Sequence, residues 1–277
     1  MKEGRRRGGR GANQARRFTL PLAIALVAGC APHVARIAEL APAGRAERYR
    51  QLLTTRELRG AGVDAQVVVW ARATGTSRLP AAEGRLLLSA PDAFRLRVGS
   101  IFGTALDLGG RGDSLSAYVP SRRQGLMLDA ERDTLGVRRP GGLAFRALIA
   151  GWRPPESAWE TAELADSLLR VHWLEDQDTI AVAIGSDGLP ARVSLTRPDA
   201  GGVQVEYRSW DLGTGIVWPS VIEITDLRGP LKVTCKITQV RFSDSVDPGR
   251  LAVVIPPSAD RLTLPALRRI LERLGSL

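Results

Sequence analysis

From residue 63 to residue 255 apolar side chains keep returning at every second position, and that period restricts the fold more than any other feature of the chain. Val63, Ala65, Val67 and Val69 make the first run. A period of two lines one face of a strand, whereas a helix needs 3.6. Leu86 and Leu88 continue it, then Phe94, Leu96 and Val98 interleaved with outward Arg95 and Arg97. Leu106 and Leu108, then Leu115, Ala117 and Val119, then Leu126 and Leu128 extend the series. Turn signals fall at Pro91-Asp92, Gly109-Gly110 and Pro120-Ser121, and Asp187-Gly188 marks a later hairpin. Further strands are expected at residues 161–164, 168–173, 180–184, 191–196, 203–210, 216–224, 231–242 and 251–255. The expected fold is mainly antiparallel β (α+β), one strongly curved open sheet of about 11–13 strands, because sheets beyond about ten curl or split.

Three segments depart from the alternation. Residues 45–56 place Tyr49, Leu52 and Leu53 on one side of a helix. Residues 142–152 put Leu143, Ala147, Leu148, Ala150 and Trp152 in helical register, ahead of Gly151 and Pro154-Pro155 as stop signals. Residues 265–276 carry Leu267, Ile270, Leu271 and Leu274 at i, i+3, i+4 and i+7. A curled sheet has a concave apolar face that needs cover, and these helices are the covers. Whether they fill the concavity or leave room for a guest decides what the chain can do.

Ahead of the fold, an arginine-rich start leads into about ten apolar residues from Leu20 and closes on Val27-Ala28-Gly29-Cys30. This order resembles a bacterial lipobox. The apolar stretch is about half of the 20 residues that a hydrocarbon core requires, so it reads as a cleaved export signal rather than a span. The resemblance implies cleavage before Cys30, a diacylglycerol on its sulfur and a fatty acyl group on its new amine. At about 0.8 kcal/mol per buried methylene, three such chains anchor a protein to a membrane essentially permanently. Arg16-Arg17 ahead of Phe18 and Leu20 also resembles a twin-arginine signal with looser spacing, so two export routes stay open. The expected division is a signal at 1–29, a lipid-anchored tether at 30–44, the sheet domain at 45–258 and a C-terminal amphipathic helix at 259–277.

The signal also accounts for most of the charge. Residues 1–29 hold seven of the 39 Lys and Arg and one of the 29 Asp and Glu, so the net +10 falls to +4 without them. That balance gives no support for nucleic-acid binding. With Cys30 acylated, Cys235 has no intramolecular partner, and its place in an alternating strand suits a small core residue. Of the two histidines, His33 falls in the tether and His172 sits beside Trp173 on a strand, more suited to structure than to catalysis. No nucleophile elbow, no metal spacing and no phosphate-cradling glycine loop is present in the sequence, so no enzyme activity, metal or cofactor is expected. Residues 109–113 are better read as a turn than as an adhesion motif. Trp70, Trp152, Trp159, Trp173, Trp210 and Trp218 suit a core short of other aromatics better than a glycan-stacking surface.

The order of parts resembles the LolA/LolB superfamily of periplasmic lipoprotein carriers and receptors, and LolB-like outer-membrane lipoproteins in particular. Four pieces carry the resemblance: the lipobox at Cys30, Arg59-Gly60-Ala61 before the first strand, residues 95–108, and the helix ahead of Pro154. The second half matches in pattern, with Trp218-Pro219 opening a strand, while the tail after Pro256 has no counterpart. The resemblance implies an open half-barrel with a helical lid, acylated lipoproteins or other lipid as cargo, and a LolA-like periplasmic carrier as partner. It places the chain at the periplasmic face of the outer membrane, with the inner membrane as the alternative. It also implies that the hairpin at residues 99–103 inserts cargo through an exposed apolar residue, here Ile101 and Phe102. The alternative for that pair is that it folds back as core. Val67, Val69, Leu86, Leu88, Phe94, Leu96, Leu106, Leu115, Leu126, Leu148 and Trp152 are the candidates for an acyl cavity. The competing expectation is an interaction or scaffold lipoprotein whose concave face its own helices plug.

Overall fold

The alternating segments pair into a single 14-stranded sheet. The structure, a computed structural model, describes residues 39–59, 61–72, 81–101, 103–129, 140–198, 201–213, 215–229 and 231–271. Cys30 and Phe102 lie outside the described residues. A first meander comprises β1 (Gly62–Arg72), β2 (Ala82–Ser89), β3 (Ala93–Ser100), β4 (Gly103–Arg111), β5 (Ser114–Val119) and β6 (Gln124–Asp129). A second comprises β7 (Glu163–Ala165), β8 (Leu168–Glu175), β9 (Asp178–Ile184), β10 (Pro190–Arg197), β11 (Gly201–Asp211), β12 (Trp218–Asp226) and β13 (Lys232–Ser243). Antiparallel pairing of β1 with β13, from Gly62 opposite Ser243 to Arg72 opposite Lys232, joins them. β14 (Asp260–Arg261) adds to β6 in parallel. The order β14-β6-β5-β4-β3-β2-β1-β13-β12-β11-β10-β9-β8-β7 ends in two different strands, so the sheet is open rather than a closed barrel. It holds one strand more than the upper expectation, because a two-residue strand such as β14 has no period to read.

Register places the predicted apolar runs together. Leu86 lies opposite Leu96 and Leu88 opposite Phe94 across β2 and β3, and Val98 lies opposite Leu106 across β3 and β4. Directly opposed side chains share a face, so these form one inner face, and Arg85, Arg95, Arg97 and Asp107 lie on the outer one.

Two sequence expectations fail for the same physical reason. Gly109-Gly110 is not a turn but part of β4, and the turn falls at Gly112, which has φ of +53°. Residues 251–255 are not a strand: Leu251 ends a short helix and 252–255 form an irregular strap over the outer face. A Cβ on Gly109 would lie 2.8 Å from Val253 Cγ2, and one on Gly125 would lie 2.4 Å from Ile255 Cγ2. The glycines are gaps that receive the strap, and its alternation serves that packing rather than a ladder.

Helices supply buried side chains to the inner face. α1 (Pro42–Arg59) packs against β8 and β9, and α2 (Pro140–Ile149) against β3, β4, β5 and β12. α2 therefore bridges the two meanders. It stops where Ala150 takes φ of +53°, one residue before the glycine expected to end it. α3 (Glu156–Glu160) follows, and α4 (Pro248–Leu251) leads into the strap. α5 (Leu264–Leu271) returns Leu267 and Ile270 to the core. No described helix is long and apolar enough to cross a membrane.

Candidate functional site

The inner face beneath α2 is where the predicted acyl-contact residues meet. Val67, Val69, Leu86, Leu88, Phe94, Leu106, Leu126, Leu148 and Trp152 are all buried in one hydrophobic cluster, and Leu96 and Leu115 pack against it half-buried. Phe145, Ala147 and Leu148 of α2 enter the same cluster. Side chains of this chain occupy the space that these residues border.

The polar groups above that cluster were not singled out by the sequence reading. Arg56, on α1, is buried, and its Nε donates to Val217 O at 3.0 Å. One terminal nitrogen donates to Ile149 O at 2.8 Å and Ala150 O at 3.2 Å, the carbonyls at the end of α2. Among the described residues the other terminal nitrogen has no partner, nor does the buried Trp218 Nε1. The guanidinium sits 5.0 Å from the Trp210 ring centroid. Burial pulls its pKa down to about 10, so it stays a cation at neutral pH. Favourable partners for a cation are the carbonyls at a helix C-terminus, which carry the negative end of the helix dipole.

Two phenols extend this network. Tyr49 Oη donates to Trp152 O at 2.5 Å, and Tyr207 Oη donates to Ala147 O at 3.0 Å while accepting from Trp152 Nε1 at 2.9 Å. Burial raises both phenol pKa values, so both remain neutral donors. A signal for Arg56 did exist in the sequence. Tyr49, Leu52, Leu53 and Arg56 stand at i, i+3, i+4 and i+7, so the arginine continues an apolar stripe.

The remaining predicted positions divide cleanly. Ile101, at the turn between β3 and β4, is 89% exposed, which removes the core alternative for that residue. Cys235 is buried between Val69 and Ile222 on the inner face, and burial pushes its thiol up to about 12. Trp152, Trp173 and Trp218 are buried, Trp159 and Trp210 pack half-buried against the cluster, and Trp70 is half-buried. His172 is exposed on β8. A cleft of about 320 Å³ borders outer-face Arg85, Arg95 and Arg97, one of about 220 Å³ lies between the strap and the β4–β5 turn, and one of about 530 Å³ at β1, β2 and β13 is lined by Ala65 and Val67 of the cluster together with Asp64, Gln66 and Arg85.

No family model matches the sequence. No curated protein matches it either. Solved structures do match. A LolA superfamily protein from Nitrosomonas europaea aligns at 12% identity and a TM-score of 0.50, over 74% of this chain and 97% of that one. A DUF1329 family protein from Desulfovibrio piger aligns at 8% identity and 0.47, over 75% and 99%. A Vibrio parahaemolyticus domain named for outer membrane lipoprotein sorting aligns at 10% identity and 0.46, over 74% and 97%. The first of these carries the assignment, and it is one of fold: the chain folds as LolA-superfamily proteins do, an open curved sheet with helices.

Proposed function

We propose that this protein is a non-catalytic envelope lipoprotein that takes acyl chains of lipoproteins into its inner face and releases them at a membrane. In this reading Cys30 carries the anchor at the periplasmic face of the outer membrane, a LolA-like carrier supplies cargo, and α2 is the lid. The supporting observation is the way α2 is held. A buried cation without a carboxylate costs several kcal/mol of desolvation, and Arg56 spends its bonds on main-chain carbonyls at the end of α2 and beside β12. A permanent plug needs only apolar packing. A few directional bonds over an apolar interior suit a helix that lifts and reseats.

Transfer then needs no energy source. Each methylene that leaves water for the inner face contributes about 0.8 kcal/mol, and direction follows from the tighter of two sites. Exposed Ile101 suits contact with lipid at the moment of release.

The packed inner cluster favours a second reading, a scaffold lipoprotein whose helices never leave the sheet. One experiment separates them. The full chain with Cys30→Ser, which removes the acylation site, is mixed with a fluorescent fatty acid and with a lipid-anchored protein. Saturable uptake of either is the expected result. Absence of both sinks the carrier reading.

A further inference from the structure

We propose that a cleft on the outer face of the sheet binds phosphate groups. Register builds it: Gln66, Arg85, Arg97 and Asp107 stand opposite one another across β1 to β4. The neighbouring row is Asp64, Leu87, Arg95 and Gly109. α4 closes the third side with Gly249 and Arg250, so four guanidinium groups surround a cleft of about 320 Å³ with buried Leu87 in its wall.

Two carboxylates pair with these arginines, and both are already occupied. Asp107 receives a two-point bond from Arg95, Nε at 2.8 Å and Nη2 at 2.6 Å. Asp64 receives one from Arg85, at 2.7 and 2.5 Å, and a further bond from Arg250 at 2.9 Å. Arg97 is left with a 3.4 Å contact to an oxygen that Arg95 holds. Four cations against two anions leave a surplus of two positive charges. Arg85 and Arg97 face each other directly, an arrangement that destabilises a sheet unless an anion sits between them.

The cleft also has the rigidity of a binding site. Arg95 is buried and ties β3 to α4 by donating from Nη1 to Arg250 O at 2.8 Å. Arg85, Arg97 and Arg250 have side chains 58, 52 and 46% exposed, so their unused N–H groups reach solvent. Other charges nearby leave the balance positive. Glu83 lies further along β2, Arg241 is opposite Asp64 on β13, and Asp247 is engaged by Gly249 N at 2.8 Å. Arginine forks match a tetrahedral oxyanion, and the space exceeds one phosphate, leaving room for the glycerol of a headgroup.

The test is calorimetric titration of the full chain carrying Cys30→Ser with two probes. These are inorganic phosphate and dihexanoyl phosphatidylglycerol below its micelle concentration. Arg97→Gln breaks only a long contact and relieves its opposition to Arg85, so its melting temperature without ligand is expected to be no lower than the parent's. It should weaken binding about tenfold, the size of one charge-assisted hydrogen bond. Arg85→Gln should act in the same direction. Binding of the lipid alone assigns the site to a headgroup, and binding of phosphate alone or of both assigns it to the phosphate group itself. Binding of neither, or binding that both variants leave unchanged, overturns the proposal. Nothing in it depends on acyl uptake or on movement of α2.

Discussion

A buried arginine that meets no carboxylate carries a desolvation cost that its hydrogen bonds must offset. Arg56 bears the desolvation cost of a cation and recovers part of it from three main-chain carbonyls. Arg56→Leu removes the cost but strands those acceptors at about 1–3 kcal/mol each. The acceptors outweigh the relief, so a net loss of about 1–3 kcal/mol is expected from denaturant midpoints. Hydrogen exchange should rise most at the end of α2, where Gly151 N donates to Arg146 O. If exchange there matched the rest of the core, Arg56 would not be the latch. Asp64 offers a second test at this scale. The Arg85 hydrogen bonds hold its carboxyl down to about 2, against an ordinary value near 4, although partial burial works the other way. Its contribution is therefore complete above about pH 4 and fades as pH falls through 2. In an acid titration, Asp64→Asn should be less stable than the parent at pH 6, and the gap should narrow as pH falls through 2 and close by about pH 1. A gap as large at pH 1 as at pH 6 would refute the assignment.

At the scale of elements, glycine sets where α2 sits. A Cβ on Gly141 would lie 2.6 Å from Arg111 N and 2.9 Å from Ser114 O, and one on Gly110 would lie 2.9 Å from Gly141 Cα. The helix start thus rests directly on the β4–β5 backbone, which Gly141 N reaches by donating to Gly112 O at 3.0 Å. Gly141→Ala gains up to about 1 kcal/mol of helix propensity and loses about 1–3 kcal/mol to the clash with main chain. Destabilisation is expected. Gly44→Ala, whose Cβ would meet Leu40 at an ordinary 3.6 Å, should instead stabilise α1 by up to about 1 kcal/mol. Thermal melts showing the same sign for both would defeat this account. These positions also show what the sequence could reveal. The strands were legible because one face of each is buried, and period two records that burial. Gly109-Gly110 reads as a turn because a glycine that admits a neighbouring chain looks the same as one that turns. Residues 251–255 read as a strand because alternation records a buried face and not a hydrogen-bonded partner. Arg56 was legible only as a continuation of the stripe begun by Tyr49, since charge hides burial in any hydropathy pattern.

For the whole molecule, the question is whether the inner face opens while the sheet stays intact. Cys235 can report on it, being the free cysteine among the described residues and buried on β13 between Val69 and Ile222. Its thiol, raised to about 12 by burial, reacts only when an opening returns it to water and to an ordinary value near 8.5. Two openings are available. Separation of β1 from β13 breaks the seam that joins both meanders and amounts to global unfolding. Lifting of the covering helices exposes the inner face and leaves every ladder paired. The two differ in exposed surface and hence in their dependence on denaturant. With Cys30→Ser present, the labelling rate of Cys235 at low urea should correspond to an opening free energy below that of global unfolding and with a shallower dependence on urea. A saturating fatty acid should slow it, because acyl chains would occupy the face that the thiol shares. Labelling that follows global unfolding at every urea concentration would mean that the helices never lift as a unit. The scaffold reading would then be the one to keep.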